Sequence, residues 1–216
     1  MPTTIAAGFT QLKQNLEISG LQKSVVSTRH TSVKNALAKE MDILNSFLAG
    51  SYPRHTMISP LAESDVDLFI ILDSSYYSQF TPKNLLDKVR RELLKTYNKS
   101  PKVSRNGQAV TITFTDFVVD VVPCFNRRGG GNLICDSIND DWISTDPKSH
   151  ASYISDQNLN HNGDLVPLIK MIKGWMENPE TFGHRFRKVS DSDSDFHRTV
   201  IPESFGHFRS IDRNNI

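Results

Sequence analysis

Apolar residues recur at helical spacing through the first fifty positions. Phe9, Leu12 and Leu16 share one face of a first segment, and a longer stripe runs through Val33, Leu37, Met41, Leu44 and Leu48. The pattern predicts a long N-terminal helical segment that stops at Gly50, a natural C-terminal punctuation point. A polar turn from Ser51 to Ser64 follows, with Pro53 and Pro60 in it. Val66 to Leu72 is then a dense apolar run with β-branched members, the mark of a buried strand.

Thr81-Pro82 forms an N-cap and first-turn pair, and Leu86, Val89, Leu93 and Tyr97 continue it at helical spacing. Asn106-Gly107 is a hairpin turn signal between Lys102–Arg105 and the alternating positions Val110, Ile112 and Phe114. Phe117 to Val122 reads as a second buried strand, ended by Pro123. Arg127 to Asn132, with three consecutive glycines, reads as a flexible connector, since it does not stand between a strand and a helix as a P-loop would. From Asp164 onward, Leu165, Leu168, Ile169, Ile172 and Met176 predict an amphipathic helix with Pro167 in its first turn. Ser and Asp alternate from Ser190 to Asp195 and apolar positions thin out, so residues 181–216 are expected to form a disordered tail. The order is helix, strand, helix, strand, strand, loop, helix, which is a mixed α/β class.

Composition narrows the partners. The 216 residues carry 25 basic and 24 acidic side chains, a net charge of +1, so there is no strong nucleic-acid signal of the kind a basic coat would give. A local pocket for phosphates is still open to such a chain. Cys124 and Cys135 stand eleven apart without zinc-ligand spacing, and read as two reduced thiols. No signal peptide or membrane-length apolar run is evident, so the expected location is cytoplasmic, with no membrane partner.

The chemistry lies in carboxylates placed where apolar residues belong. Asp65 and Asp67 flank Val66 at the start of a strand, and a period of two points both to one face. Asp120 interrupts Phe117-Val118-Val119-Asp120-Val121-Val122. An unpaired carboxylate in such a run is costly, and three converging would repel one another. A divalent cation removes the conflict. Mg²⁺ prefers oxygen ligands, typically one or two carboxylates plus substrate phosphates. Two such ions can stabilise the attacking and leaving oxygens of an in-line displacement. Gly50-Ser51, fourteen residues before Asp65, opens a turn containing Arg54 and Thr56. Glycine allows close approach to phosphate oxygens, and Ser51 can donate from its hydroxyl and N–H. Arg54 has two readings, phosphate contact or pairing with a carboxylate. His55 and His150 read as turn or capping residues, and Trp175 as core.

Three segments together carry a resemblance: Gly50-Ser51-Tyr52-Pro53-Arg54-His55-Thr56, Ser64-Asp65-Val66-Asp67-Leu68, and Val119-Asp120-Val121-Val122-Pro123. They are similar to the polymerase-β-type nucleotidyltransferase superfamily. Within it the chain most resembles the bacterial cyclic-oligonucleotide synthases related to cyclic GMP–AMP synthase, the SMODS nucleotidyltransferases. Trp142 to Pro147, His150, Asn158 and the helix from Leu168 to Trp175 resemble later parts of that family, and the likeness runs from about residue 8 to residue 178.

The resemblance implies a polymerase-β-type core, a mixed sheet flanked by helices, over residues 1–160. The start of a C-terminal helical lobe is expected over 161–180, incomplete before the tail. It implies Asp65, Asp67 and Asp120 as catalytic ligands of two Mg²⁺ ions, with Mn²⁺ as a substitute. It also implies Gly50 and Ser51 as triphosphate contacts, beside Arg54, and Lys173 from the later helix, with Lys170 as the fallback. A lysine suits phosphate as a point charge. The implied function is joining nucleoside triphosphates (ATP, with GTP or others) into cyclic di- or oligonucleotide second messengers in antiphage defence, with regulatory or effector protein partners. Two alternatives stand beside it: a transferase of the same fold with an RNA or protein acceptor, and a truncated inactive remnant that binds nucleotide.

Overall fold

The computed structural model describes residues 4–61, 64–98 and 102–177. The expected tail over 181–216 and the last residues of the expected lobe, 178–180, lie outside them. Helix α1 (Ile5–Leu16) starts where the Thr4 hydroxyl accepts from the N–H of Ala7 at 3.2 Å. Helix α2 (Gly20–Leu37) opens with a capping box, Ser19 accepting from the Gln22 N–H while Gln22 accepts from the Ser19 N–H.

The helical stripe ends sooner than its spacing predicts. After Leu37 the chain turns, and Ile43–Leu48 is an edge strand, β1, antiparallel to β2 (Asp65–Leu72) with Leu48 opposite Leu68. Leu44 and Leu48 are four apart, a separation that keeps one face in a helix and also in a strand. The ladder to β2 decides between the two, and Leu44 is left 61% exposed.

Helix α3 (Ser75–Gln79) and helix α4 (Pro82–Thr96) follow β2. The Thr81 hydroxyl caps α4 and Pro82 takes its first turn, as the sequence predicts. Strands β3 (Lys102–Asn106) and β4 (Ala109–Thr113) form the expected hairpin, with Gly107 at φ 58° in its turn. Strand β5 (Val118–Asn126) runs parallel to β2 and antiparallel to β4. It continues through Pro123 instead of ending there. Pairing with β4 reaches Val121 and pairing with β6 begins at Cys124, so Pro123 falls in a gap of the ladder where a missing N–H is tolerated.

Strands β6 (Asn132–Asp136) and β7 (Asp141–Thr145), which the periodicity does not predict, extend the sheet past β5. The triple glycine is the tight turn between β5 and β6, not a flexible connector. Gly129, Gly130 and Gly131 all have positive φ, the Arg127 N–H donates to the Gly131 carbonyl, and a Cβ at Gly131 would lie 2.6 Å from the Thr145 oxygen. Among the described residues the strands make one seven-stranded mixed sheet, ordered β1-β2-β5-β4-β3 with β6 and β7 branching from β5.

One face of this sheet carries the main core. Leu68 and Ile70 of β2, Val121 of β5 and Ile112 of β4 are wholly buried against Val33 and Leu37 of α2 and Leu86 and Leu93 of α4. Each such side chain contributes about 1.5–3 kcal/mol by leaving water. The opposite face holds a smaller cluster of Phe69, Ile71, Val122, Cys124 and Ile134. Helix α5 (Pro147–Asn160), also unpredicted, is capped by the Asp146 carboxylate, which accepts from the Ser149 N–H at 3.0 Å, and its Lys148 ammonium sits 4.9 Å from the Phe47 ring centroid.

Helix α6 (Leu165–Glu177) has Pro167 in its first turn, as expected, but docks by an unexpected side. Leu168, Ile172 and Met176 are 54%, 47% and 70% exposed, while Lys170 and Gly174 are buried. Gly174 lies against the end of α1, where a Cβ would come 2.7 Å from Leu16 Cδ2.

Candidate active site

The strand register assembles the aspartates. In the parallel pair β2–β5, Asp67 stands directly opposite Asp120, and Asp65 precedes Asp67 by one pleat repeat on the same face. All three therefore rise from the sheet face that carries the smaller cluster, at the end where its apolar residues give out. Strand β4 brings Thr111 opposite Asp120, and the Thr111 hydroxyl donates to Asp120 Oδ1 at 2.5 Å. Nothing in the spacing of Thr111 marks it as special. Only its register with Asp120 does.

The loop after β1 is tied to the same point. The Ala49 N–H donates to the Asp67 carbonyl at 2.8 Å. Gly50 then turns with φ 62°, and any Cβ there would fall on the Asp67 carboxylate, so both backbone and space require glycine. Arg54 Nε donates to the Gly50 carbonyl at 2.8 Å, and the Thr56 N–H to the Ser51 carbonyl at 3.0 Å, closing the loop on itself. His55, at φ 58°, is the turn residue the sequence predicts.

A cavity of about 260 Å³ opens beside this loop, lined by Ser51, Arg54, Ser64, Asp65, Asp67 and Lys173, with Met57 and Ile58 as its apolar wall. Arg54 braces the loop and also lines the cavity, near enough to Asp67 for its charge to act on that carboxyl. Lys173 reaches the cavity from α6. Lys170 does not, and its ammonium pairs instead with Glu17 at 2.7 Å. Asp120 stands next to Asp67 on the sheet but is not part of the cavity lining.

The electrostatics follow from this crowding. Burial first, then the charges of Asp120 and Asp65, push the Asp67 carboxyl up to about 6, although Arg54 and Lys173 pull it down. Three carboxylates thus gather beside Arg54 and Lys173. The site's donors are hard carboxylate oxygens, the set suited to Mg²⁺. Among the described residues no three His, Cys, Asp or Glu side chains close into a ready-made metal cage. Cys124 and Cys135 are both buried free thiols, pushed up to about 12 by burial. No helix among the described residues is long and apolar enough to cross a membrane.

With this geometry in place, likeness to known proteins decides the family. Residues 3–158 match the Second Messenger Oligonucleotide or Dinucleotide Synthetase domain. The chain belongs to this family. Among curated relatives, a cyclic AMP-AMP-AMP synthase of Acinetobacter sp. (strain ATCC 27244 / 9458) is 29% identical over 175 residues, covering 77% of this chain and 50% of that protein. The chain spans about half the length of the curated relatives it matches. Two solved structures share the fold. The CdnE c-di-GMP synthase of Capnocytophaga granulosa superposes with a TM-score of 0.62 at 20% identity, over 82% of this chain and 58% of that one. The Elizabethkingia meningoseptica CdnE cyclic dinucleotide synthase with GTP and Apcpp gives 0.61 at 17%, over 82% and 68%. The mixed sheet flanked by helices is the polymerase-β-type nucleotidyltransferase core.

Proposed function

We propose that this chain is the catalytic core of a nucleotidyltransferase that joins nucleoside triphosphates, ATP and GTP among them, into cyclic di- or oligonucleotides. The observation that carries the reading is Asp67 opposite Asp120, with Asp65 one repeat away, beside a cavity lined by Ser51, Arg54 and Lys173. Family membership supports the nucleotide chemistry, and the relative named as a cyclic AMP-AMP-AMP synthase supports the cyclic product. A role in antiphage defence, with a regulatory or effector protein, is proposed on the likeness, 25% identical over 140 residues, to a second relative named CBASS oligonucleotide cyclase CdnC.

In this reading Asp65, Asp67 and Asp120 hold the divalent cations, Mg²⁺ or in its place Mn²⁺. When bound, these ions neutralise developing charge on the attacking and leaving oxygens of an in-line displacement. The chain's own residues do the rest. Gly50 lets the loop approach the triphosphate without a side chain in the way, and Ser51 donates to it. Arg54, braced on the Gly50 carbonyl, and Lys173 from α6 both offer positive charge to the cavity. Thr111 fixes the rotamer of Asp120 through its hydroxyl.

Incubation with all four radiolabelled nucleoside triphosphates and Mg²⁺, followed by phosphatase, tests the proposal. A resistant product lost in an Asp65→Ala/Asp67→Ala variant supports it. Product that forms only when RNA or protein is added would replace it with acceptor transfer. Mg²⁺-dependent triphosphate binding without any product would replace it with a nucleotide-binding role.

A further inference from the structure

Lys170 and Lys173 are three positions apart on α6, so about 60° separates them around the helix axis. A rotation of α6 by that angle, with a slide of about 4.5 Å along its axis, would exchange the lysine that meets the aspartates. The two now face different cavities. Lys173 lines the one beside Asp65 and Asp67, and Lys170 lines another of about 420 Å³, with Tyr52, Pro53 and His55 of the loop after β1.

What sets the rotation is visible at the end of α1. Lys170, its side chain 5% exposed, places its ammonium 2.7 Å from Glu17 Oε2. One turn further along the same face, Gly174 sits on Leu16, the neighbour of Glu17. Consecutive residues of α1's end thus grip α6 at two points a helical turn apart. Burial of apolar area does not explain this choice of face. Of the apolar stripe of α6, Leu168, Ile172 and Met176 are exposed and Leu165 and Ile169 only half-buried, while a lysine and a glycine turn inward. Glu17 is itself half-exposed, but Lys170 is buried on this face and would lose its carboxylate partner in any other rotation, so the pair favours this one.

We propose that Glu17 is a positioning residue: its ion pair with Lys170, with Gly174 seated on Leu16, holds α6 so that Lys173 and not Lys170 faces the triphosphate. The inference rests on the nucleotidyltransferase reading above. Glu17 touches no reacting atom and acts through Lys173.

The test pairs a measurement without nucleotide and one with it. Backbone amide exchange over α6 in the free protein is expected to quicken in Glu17→Gln and to return towards normal in the charge swap Glu17→Lys/Lys170→Glu. Affinity for the non-hydrolysable α,β-methylene analogue of ATP with Mg²⁺ is expected to fall about tenfold in Glu17→Gln and to recover in the swap. The same Glu17→Gln change made in a Lys173→Met background is expected to cost no further affinity, because its route is already cut. Additive losses, or a quickened helix with unchanged affinity, would overturn the positioning role and leave a plain structural ion pair. If the wild-type chain binds no analogue, the nucleotidyltransferase reading fails instead. The grip on α6 is then decided by exchange alone, and unchanged α6 exchange in Glu17→Gln refutes it.

Discussion

The two faces of strands β2 and β5 come from the same residues in alternation and obey opposite rules. Val66, Leu68 and Ile70 with Val119 and Val121 are buried beneath α2 and α4, each adding stability by leaving water. Their neighbours Asp65, Asp67 and Asp120 crowd like charges on the other face, against a carboxyl that burial already disfavours as an anion. One pleat therefore separates positions chosen for packing from positions that cost stability. The rigidity of the first face is what keeps the second from relieving its repulsion by moving apart.

The largest expected effect breaks the charged face alone. Asp67→Asn and Asp120→Asn should each lower formation of phosphatase-resistant product by about a thousandfold or more, the scale of losing a principal electrostatic group from a transition state. The fold should survive, as judged by circular dichroism. Full turnover in both variants would refute the metal-centred reading. The packed face should answer in the reverse way. Leu68→Ala, at a wholly buried position, should destabilise the protein by about 2–5 kcal/mol in denaturant titration. Its remaining folded fraction should keep nucleotide affinity.

A smaller effect sharpens the comparison through pH. The unfolded chain releases the Asp67 proton near its ordinary 3.8, whereas the folded chain holds it up to about 6. Between those values the folded form binds the extra proton, so this contribution to stability is complete below 3.8 and is lost as pH rises through about 6. A displacement of about two units is of order 3 kcal/mol at most. Asp67→Asn should therefore raise the melting temperature at pH 8 by about 5 °C and change it little at pH 4. Mg²⁺ should recover part of that stability in the wild type at pH 8 and none of it in the variant. Equal melting temperatures at pH 8 would show that Arg54 and Lys173 already balance the site.

The same contrast explains how much could be read from the sequence. Carboxylates inside apolar runs are conspicuous, so Asp65, Asp67 and Asp120 stand out, and the register then brings Asp67 and Asp120 together. Strands β2 and β5 were equally legible because most of their positions are buried on both faces. Other elements offered no such signal. Strand β1 hid in a spacing of four that suits a helix as well. Strands β6 and β7 set two or three apolar residues side by side between polar ends, with no alternation to read. Helix α5 buries none of its residues, and only its Asp146-Pro147 start marks it. For α6 the period was right and the face was wrong, because a moment says where apolar residues lie and not which side docks. Glu17 and Lys170 meet across 153 positions of chain, a pairing that no local pattern contains.

The smallest predicted effect concerns Thr111, which joins the two strand neighbours of the charged face. Thr111→Val keeps the shape and removes only the hydroxyl that Asp120 Oδ1 accepts from at 2.5 Å. A hydrogen bond to a charged group is worth about 1.5–3 kcal/mol, and part of that is recovered by water at a half-buried carboxylate. Product formation should fall about three- to tenfold through kcat, with KM for triphosphate unchanged, since Thr111 lies outside the cavity that Ser51, Arg54 and Lys173 line. Thr111→Ser should restore the rate. A loss as deep as that of Asp120→Asn would mean that orientation is the whole of what Asp120 contributes. An unchanged rate would mean that the Thr111 hydroxyl is not needed to hold Asp120 in place opposite Asp67.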